Sequence, residues 1–131
     1  MELAESPEHR KLVGLLIAHI RKEGFQVTCA SYEGFTRCGE TSGHIPDARG
    51  SNADELNAIG EAKTGDDIGT DRSREQYKVF SSRRMTNGKS RGKDVPFYIA
   101  VPSGCEKELD RVLSELGLAN KPNIHRVSFD V

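Results

Sequence analysis

Hydrophobic and polar residues follow one another along the chain in patterns that predict three helices and five strands. Between Leu12 and Ile20 the apolar residues recur at helical spacing, the pattern of a helix with one buried face. Ser6-Pro7 has the form of an N-cap and a first helical residue, and Gly24 interrupts the pattern. The first helix is therefore predicted over about residues 7–23.

Runs of β-branched and aromatic residues predict the strands. The segment "FQVTCASY" at 25–32 predicts a strand that leads into a turn or a hairpin. The segments "HIPD" at 44–47 and "ELNAIGEAKT" at 55–64 predict two strands of a hairpin, joined by the turn-forming residues of "ARGSNAD". A continuous apolar run, "VPFYIAVP" at 95–102, is typical of a central strand. The segment "NIHRVSFDV" predicts a last strand.

Two later segments have the pattern of helices. A Ser-x-x-Gln pattern at 73–76 and a Ser-x-x-Glu pattern at 103–106 both have the form of a capping box. Helical spacing of apolar residues then predicts helices over about 72–84 and up to Leu116. The predicted order is α-β-β-β-α-β-α-β, so we expect an α/β fold with a mixed central sheet flanked by helices.

Length and composition limit the class of protein. With 131 residues the chain is predicted to form one domain over 1–131. Its longest apolar run, from Leu12 to Ile20, is far shorter than the roughly 20 residues that cross a bilayer, so no membrane association is expected. The start "MELAESPEHR" has no secretory pattern, which predicts a cytoplasmic location.

The three cysteines are an odd and scattered set, which predicts reduced thiols and argues against a disulfide framework. A zinc site of Cys29, Cys38 and His44 is the alternative. It is disfavoured because the spacing lacks the paired C-x₂₋₄-C pattern of such sites.

Charge is segregated along the chain although the net charge is only −1. Residues 54–71 hold six acidic side chains and one lysine, and residues 83–93 hold five basic side chains and no acid. Two interpretations are open, namely a metal site beside a phosphate-binding loop, or two solvated surface patches.

Three residues of the predicted hairpin suggest a reaction centre. Successive side chains of a strand point to opposite faces, so Glu61 and Lys63 share a face. Asp47 is expected to lie across the hairpin from Glu61. Neighbouring carboxylates repel each other unless a proton or a metal offsets their charge, and Mg²⁺ prefers such oxygen ligands. The lysine could then position a metal-bound water and stabilise negative charge on a phosphate.

This arrangement resembles a known motif. Pro46-Asp47 followed by Glu61-Ala62-Lys63 is similar to the PD-(D/E)xK motif of the restriction-endonuclease-like nuclease superfamily. The order of predicted elements is similar as well, over roughly residues 6–116. The resemblance implies a restriction-endonuclease-like fold and a metal-dependent DNA endonuclease that hydrolyses phosphodiester bonds. Some features also resemble archaeal Holliday-junction resolvases and small VRR-type nuclease modules, which would imply a preference for branched DNA.

The resemblance also implies roles for individual residues. Asp47, Glu61 and the Ala62 carbonyl would bind Mg²⁺, with Mn²⁺ as a substitute, and Lys63 would assist the attacking water. Many members add a helical acid and a later glutamine, for which Glu8 and Gln76 are the candidates. Alternatively, Glu8 complements the helix dipole and Gln76 completes a capping box.

The basic segment is the candidate surface for DNA phosphates. Its predicted nucleic-acid-binding residues are Arg83, Arg84, Lys89, Arg91 and Lys93. A homodimer is expected because cutting both strands of a duplex requires two sites. Two other functions are open: a nucleic-acid-binding module of the same fold that does not cleave, and an accessory domain that binds protein.

Overall fold

Three α-helices and a five-stranded sheet make up the fold, as described by a computed structural model for residues 6–131. The helices are α1 (Pro7–Lys22), α2 (Asp71–Ser81) and α3 (Glu106–Glu115), with a short 3₁₀ helix at Gly65–Asp67. The strands are β1 (Gln26–Ala30), β2 (Ala48–Ser51), β3 (Asn57–Ala62), β4 (Phe97–Pro102) and β5 (Ile124–Phe129). The predicted α/β class is confirmed, and the order of elements differs from the prediction by the inserted 3₁₀ helix.

The sheet is mixed, as predicted. Its strand order is β1-β2-β3-β4-β5. The pairs β1–β2 and β2–β3 are antiparallel, whereas β3–β4 and β4–β5 are parallel. The parallel pairs are connected through α2 and α3, because strands that run in the same direction need a crossover connection.

Helices cover both faces of the sheet. On one face α1 packs on small residues of the central strands, with Leu12, Leu16 and Ile20 fully buried. On the other face side chains of α2 and α3 form a second apolar cluster with β4. A Cβ atom at Gly60 would lie 2.9 Å from side-chain atoms of both Leu16 and Ile20. The helix α1 therefore rests directly on the backbone of β3, next to Glu61. No helix within residues 6–131 combines the length and apolar character needed to cross a membrane.

The predicted helix cap is confirmed at α1 only, although α2 begins at Asp71, next to its predicted start. The Ser6 side chain accepts a hydrogen bond from the His9 backbone N–H at 3.0 Å. The N-cap of α2 is Thr70, which accepts from Ser73 N–H at 3.2 Å, so the predicted capping box at 73–76 is wrong. The N-cap of α3 is Cys105, which makes no side-chain capping bond, so the second predicted capping box is wrong as well.

The predicted hairpin is present, but β2 occupies part of the segment predicted as its turn. The turn lies further on, where the Asn52 side chain accepts from the backbone N–H groups of Asp54 and Leu56 at 2.9 and 3.0 Å. Asn52 thus supplies the acceptor that stabilises the turn. As a result Asp47 directly precedes β2.

Cys29 and Cys38 form a disulfide, with 5.0 Å between their Cα atoms. The prediction of reduced thiols is therefore wrong for these two residues, and the bond removes both from the zinc alternative. After β1 the chain turns back, and the Ala30 N–H donates to the Thr36 carbonyl at 2.9 Å. This return brings the two cysteines together. Cys105 is a free, partly buried thiol.

Candidate active site

An open cleft of about 1710 Å³ lies where β2 and β3 meet the start of α1 and the first half of α2. Asp47, Glu61, Lys63 and Gln76 all line it, as do Glu8 and Ala62, so the structure places all six predicted catalytic and metal-binding residues around one cleft. The cleft exceeds the roughly 300–1,000 Å³ that is typical of small-molecule pockets.

Backbone and side-chain bonds fix Asp47 at the end of the hairpin. Its carbonyl accepts from the Ser31 N–H at 2.8 Å, and its own N–H donates to Glu61 Oε1 at 3.2 Å. Its Oδ2 atom accepts from the Ala62 N–H at 2.9 Å. The pairing of Ala48 with Gly60 places Asp47 opposite Glu61, so the expected cross-strand position is confirmed.

Lys63 is a buried cation surrounded by oxygen acceptors. Both Lys63 and Glu61 are only 3% exposed. The Lys63 Nζ atom lies 3.5 Å from Glu61 Oε2 and 3.6 Å from Asp67 Oδ2, and it donates a hydrogen bond to Gln76 Oε1. Gln76 is itself 1% exposed, so its amide acts within the buried site, where it holds the ammonium group beside Glu61.

The two carboxyl groups have opposite pKa shifts. Burial, followed by the negative charge of Asp47, raises the pKa of Glu61 well above its ordinary value, against the opposing charge of Lys63. Burial also acts to raise the pKa of Asp47, but the hydrogen bond and charge of His9, together with hydrogen bonds to Ala62 and Glu61, outweigh it, and the pKa is lowered. Of the two carboxyl groups, Glu61 is thus the one whose ionisation an added cation favours most, because a positive charge stabilises the ionised form.

The donors at this site fit a hard divalent cation. Asp47 and Glu61 supply carboxylate oxygens. The N–H and C=O of one strand residue point to the same side, so the Ala62 carbonyl lies on the edge that its N–H shares with Asp47. Within residues 6–131 no group of three or more His, Cys, Asp or Glu side chains is arranged to hold a metal. Mg²⁺ requires no such group, since it usually keeps several waters and binds one or two carboxylates.

Sequence reasoning missed His9 and Asp67. The His9 Nε2 atom lies 3.3 Å from Asp47 Oδ2, and Asp67 faces Lys63 from the 3₁₀ helix. The predicted α1 residue, Glu8, is exposed on the wall of the cleft, and its catalytic role stays a prediction. Helical spacing places both Glu8 and His9 at the start of α1, but it does not show which of them faces β2.

The predicted nucleic-acid-binding residues separate into two groups. Arg83 and Arg84 line a second, smaller cleft of about 420 Å³. The other three, Lys89, Arg91 and Lys93, are exposed on the following loop and line neither cleft. Backbone bonds hold this loop, including the Met85 N–H to the Lys93 carbonyl at 2.8 Å.

No known family model, curated protein or solved structure matches the chain. The resemblance to the nuclease superfamily therefore stays a prediction that rests on the motif residues.

Proposed function

We propose that the protein is a metal-dependent DNA endonuclease with a restriction-endonuclease-like fold. One observation carries the proposal: Asp47 and Glu61 lie side by side at the floor of a large cleft, and the buried ammonium of Lys63 lies 3.5 Å from Glu61. A buried acid with a raised pKa, an adjacent ionised acid and an oriented lysine are typical of reaction centres.

The residues fit Mg²⁺, with Asp47, Glu61 and the Ala62 carbonyl as its protein ligands. Bound there, the ion would supply Lewis acidity and lower the pKa of a coordinated water. His9 and the Ala62 N–H hold the Asp47 carboxylate in one orientation. Glu61 would lose its proton as the cation binds, since the added charge removes the repulsion from Asp47.

Lys63 supplies the only ammonium group among the residues that contact Glu61 in the described part of the chain. In this proposal its Nζ atom orients the attacking water and stabilises the charge that develops on the phosphate. Gln76 and Asp67 keep the ammonium in place by accepting from it or pairing with it. The two residues are therefore positioning residues, and their loss should reduce the rate by less than loss of Lys63.

The test is cleavage of supercoiled, linear, single-stranded and four-way-junction DNA with Mg²⁺ or Mn²⁺. Wild type is compared with D47N and K63M. The matched controls are D130N and K78M, which make the same changes at exposed positions outside both clefts. Metal-dependent cutting that disappears in D47N and K63M while circular dichroism shows both variants to be folded, and that persists in both controls, supports the proposal. Cutting that survives in D47N, or no cutting of any substrate, refutes it.

The cleavage assay also tests substrate preference, and a separate measurement tests assembly. Preferential cutting of the four-way junction would support the branched-DNA specificity that the motif resemblance implies. A homodimer stays a prediction, and sedimentation of the active enzyme with and without DNA tests it.

A further inference from the structure

The second cleft, here called the arginine cleft, lies next to the active site on the same sheet. Arg49 of β2, Arg83 and Arg84 line it, with Thr41 and Ser42 opposite. A tight turn at 41–44 separates the two clefts: the Thr41 N–H donates to the His44 carbonyl at 2.7 Å, and the reverse bond is 3.1 Å long. This turn forms part of the lining of both clefts.

Two guanidinium groups in the arginine cleft have only neutral partners. Arg49 donates to the Gly39 carbonyl at 3.4 Å and to the Thr41 hydroxyl. Arg83 donates to the Ser42 hydroxyl at 3.4 Å. Among residues 6–131 no carboxylate forms an ion pair with either arginine, and the exposed Glu40 at the rim pairs with neither.

Arg84 shows the contrast, because its guanidinium lies 3.2 Å from the Asp94 carboxylate. Partial burial, followed by the positive charge of Arg83, lowers the pKa of Arg49. Two like charges held together in a polar cleft without a counter-ion are stabilised when an anion binds between them. Guanidinium groups bind phosphate oxygens through parallel N–H bonds, so phosphate is the anion that fits.

The spacing of residues along β2 and β3 places the arginine cleft beside the active site. Arg49 follows Asp47 by two residues, so both lie on the same sheet face, about 6.8 Å apart along the chain. On β3, Ile59 lines the arginine cleft, and Glu61 lines the active site. A polynucleotide strand that runs along these strands would therefore present successive phosphates to the two clefts.

We infer that the arginine cleft binds a backbone phosphate of the polynucleotide next to the one at the active site, with Arg49 and Arg83 as its ligands. The identity of the polymer rests on the proposed function, but binding at this cleft does not require cleavage. This assigns Arg49 a role in binding. It also separates Arg83 from the basic residues of the following loop, which line neither cleft.

Ser42 allows a test by charge alone. Its φ of 50° is left-handed, a conformation that Asp and Asn adopt more readily than most residues. S42D places a carboxylate beside Arg83, where it competes with phosphate, and S42N has nearly the same shape without the charge. The other variants are R83Q, at an exposed position where folding is not at risk, and R49Q. The matched control is R126Q, since Arg126 of β5 pairs with Asp110 of α3 at 2.8 Å.

The measurement is the Kd of a short fluorescein-labelled single strand and of its duplex, by anisotropy in EDTA, from about 50 to 200 mM salt. We expect R83Q, R49Q and S42D to weaken binding about 5- to 10-fold and to reduce the salt slope by about 1, the loss of one phosphate contact. R126Q should match wild type, and S42D should bind more weakly than S42N. Inorganic phosphate, added as a competitor, should need millimolar concentrations if the cleft recognises the polymer backbone.

Three outcomes would overturn the inference: S42D and S42N binding DNA equally, R83Q binding as tightly as wild type, or no binding of the labelled DNA by wild type. Displacement of the DNA by micromolar phosphate would also contradict it, because it would identify free phosphate as the ligand. Cleavage of the same DNA by the same variants, measured in Mg²⁺, separates the two proposals. Normal cutting with unchanged binding in S42D refutes only the arginine cleft, whereas cleft-dependent binding without cutting in Mg²⁺ refutes only the nuclease.

Discussion

Replacing Lys63 by Met should destabilise the fold strongly, because it removes the cation beside a buried acid. The Lys63 Nζ atom is 3.5 Å from Glu61 Oε2, and both residues are 3% exposed. Above the raised pKa of Glu61 the two groups form an ion pair, and removing one member of a buried ion pair costs about 3–5 kcal/mol, since the remaining charge stays buried without a partner. Unfolding entropy of about 2.1 cal/mol/K per residue over 131 residues converts this cost to a Tm decrease of roughly 11–18 °C.

The double variant K63M/E61Q isolates the origin of this loss. With both charges removed, the site holds a neutral amide and an apolar side chain, and the double variant should recover most of the stability. The decrease in K63M should also depend on pH. Protonation of Glu61 at acidic pH removes the uncompensated charge, so the decrease should be larger at pH 8 than at pH 5.

The assay is thermal and urea unfolding in EDTA, followed by circular dichroism. K78M is the matched control, because Lys78 pairs with Glu75 at 3.7 Å while both are about half exposed, and such pairs contribute at most about 0.5 kcal/mol. A K63M variant that loses less than about 1 kcal/mol at pH 8, or a double variant no more stable than K63M, would refute the buried-pair reasoning.

Three further predictions concern stability. Burial and Asp47 raise the pKa of Glu61 above its ordinary 4.5. Without metal, the contribution of protonated Glu61 to the free energy of unfolding is therefore full below pH 4.5 and is lost as pH rises through the folded-state pKa. E61Q should flatten the dependence of Tm on pH. Mg²⁺ at about 100 times its Kd should stabilise wild type by about 2.7 kcal/mol and leave D47N unchanged in the same thermal scans; an equal shift in D47N would exclude the proposed ligands. Replacing the disulfide in C29S/C38S, with its sequence separation of 9, should cost about 2–3 kcal/mol in urea unfolding, whereas C105S should cost less than half as much.

Local patterns were sufficient to predict which residues lie together at the core of the candidate active site. The period-two alternation of a strand places Glu61 and Lys63 on one face, and pairing across the hairpin places Asp47 beside them. Both depend only on short stretches of sequence. For the same reason α1 begins where Ser6-Pro7 predicts.

Errors arose where distant parts of the chain decide the local structure. Gly50 suggests a turn, yet it lies within β2, where a Cβ atom would be 2.7 Å from the Gln26 carbonyl oxygen. The glycine allows close approach of two strands, and no pattern near residue 50 shows this. Because this segment was predicted as a turn, the direction of the Arg49 side chain could not be predicted. The strand β2 sets that direction.

The chain reversal after β1 was equally hidden. Cys29 and Cys38 meet because the segment between them turns back on β1, and an odd, scattered set of cysteines does not indicate which two will pair. The orientation of His9 depends on how α1 is rotated over the sheet. The packing of apolar side chains across two elements determines that rotation, which helical spacing within α1 does not show.

The β2–β3 ladder limits how sequences related to this one can change in length. Alternate residues of β2 face opposite sides, with Ala48 and Gly50 buried and Asp47 and Arg49 on the functional side. Deleting or inserting one residue in the ladder would exchange the two sets, which would bury the charges against α1 and place small residues in both clefts. Tolerated insertions should therefore occur in the turn after Asn52 or in the segment between Cys38 and Pro46, and the spacing from Asp47 to Arg49 should stay constant.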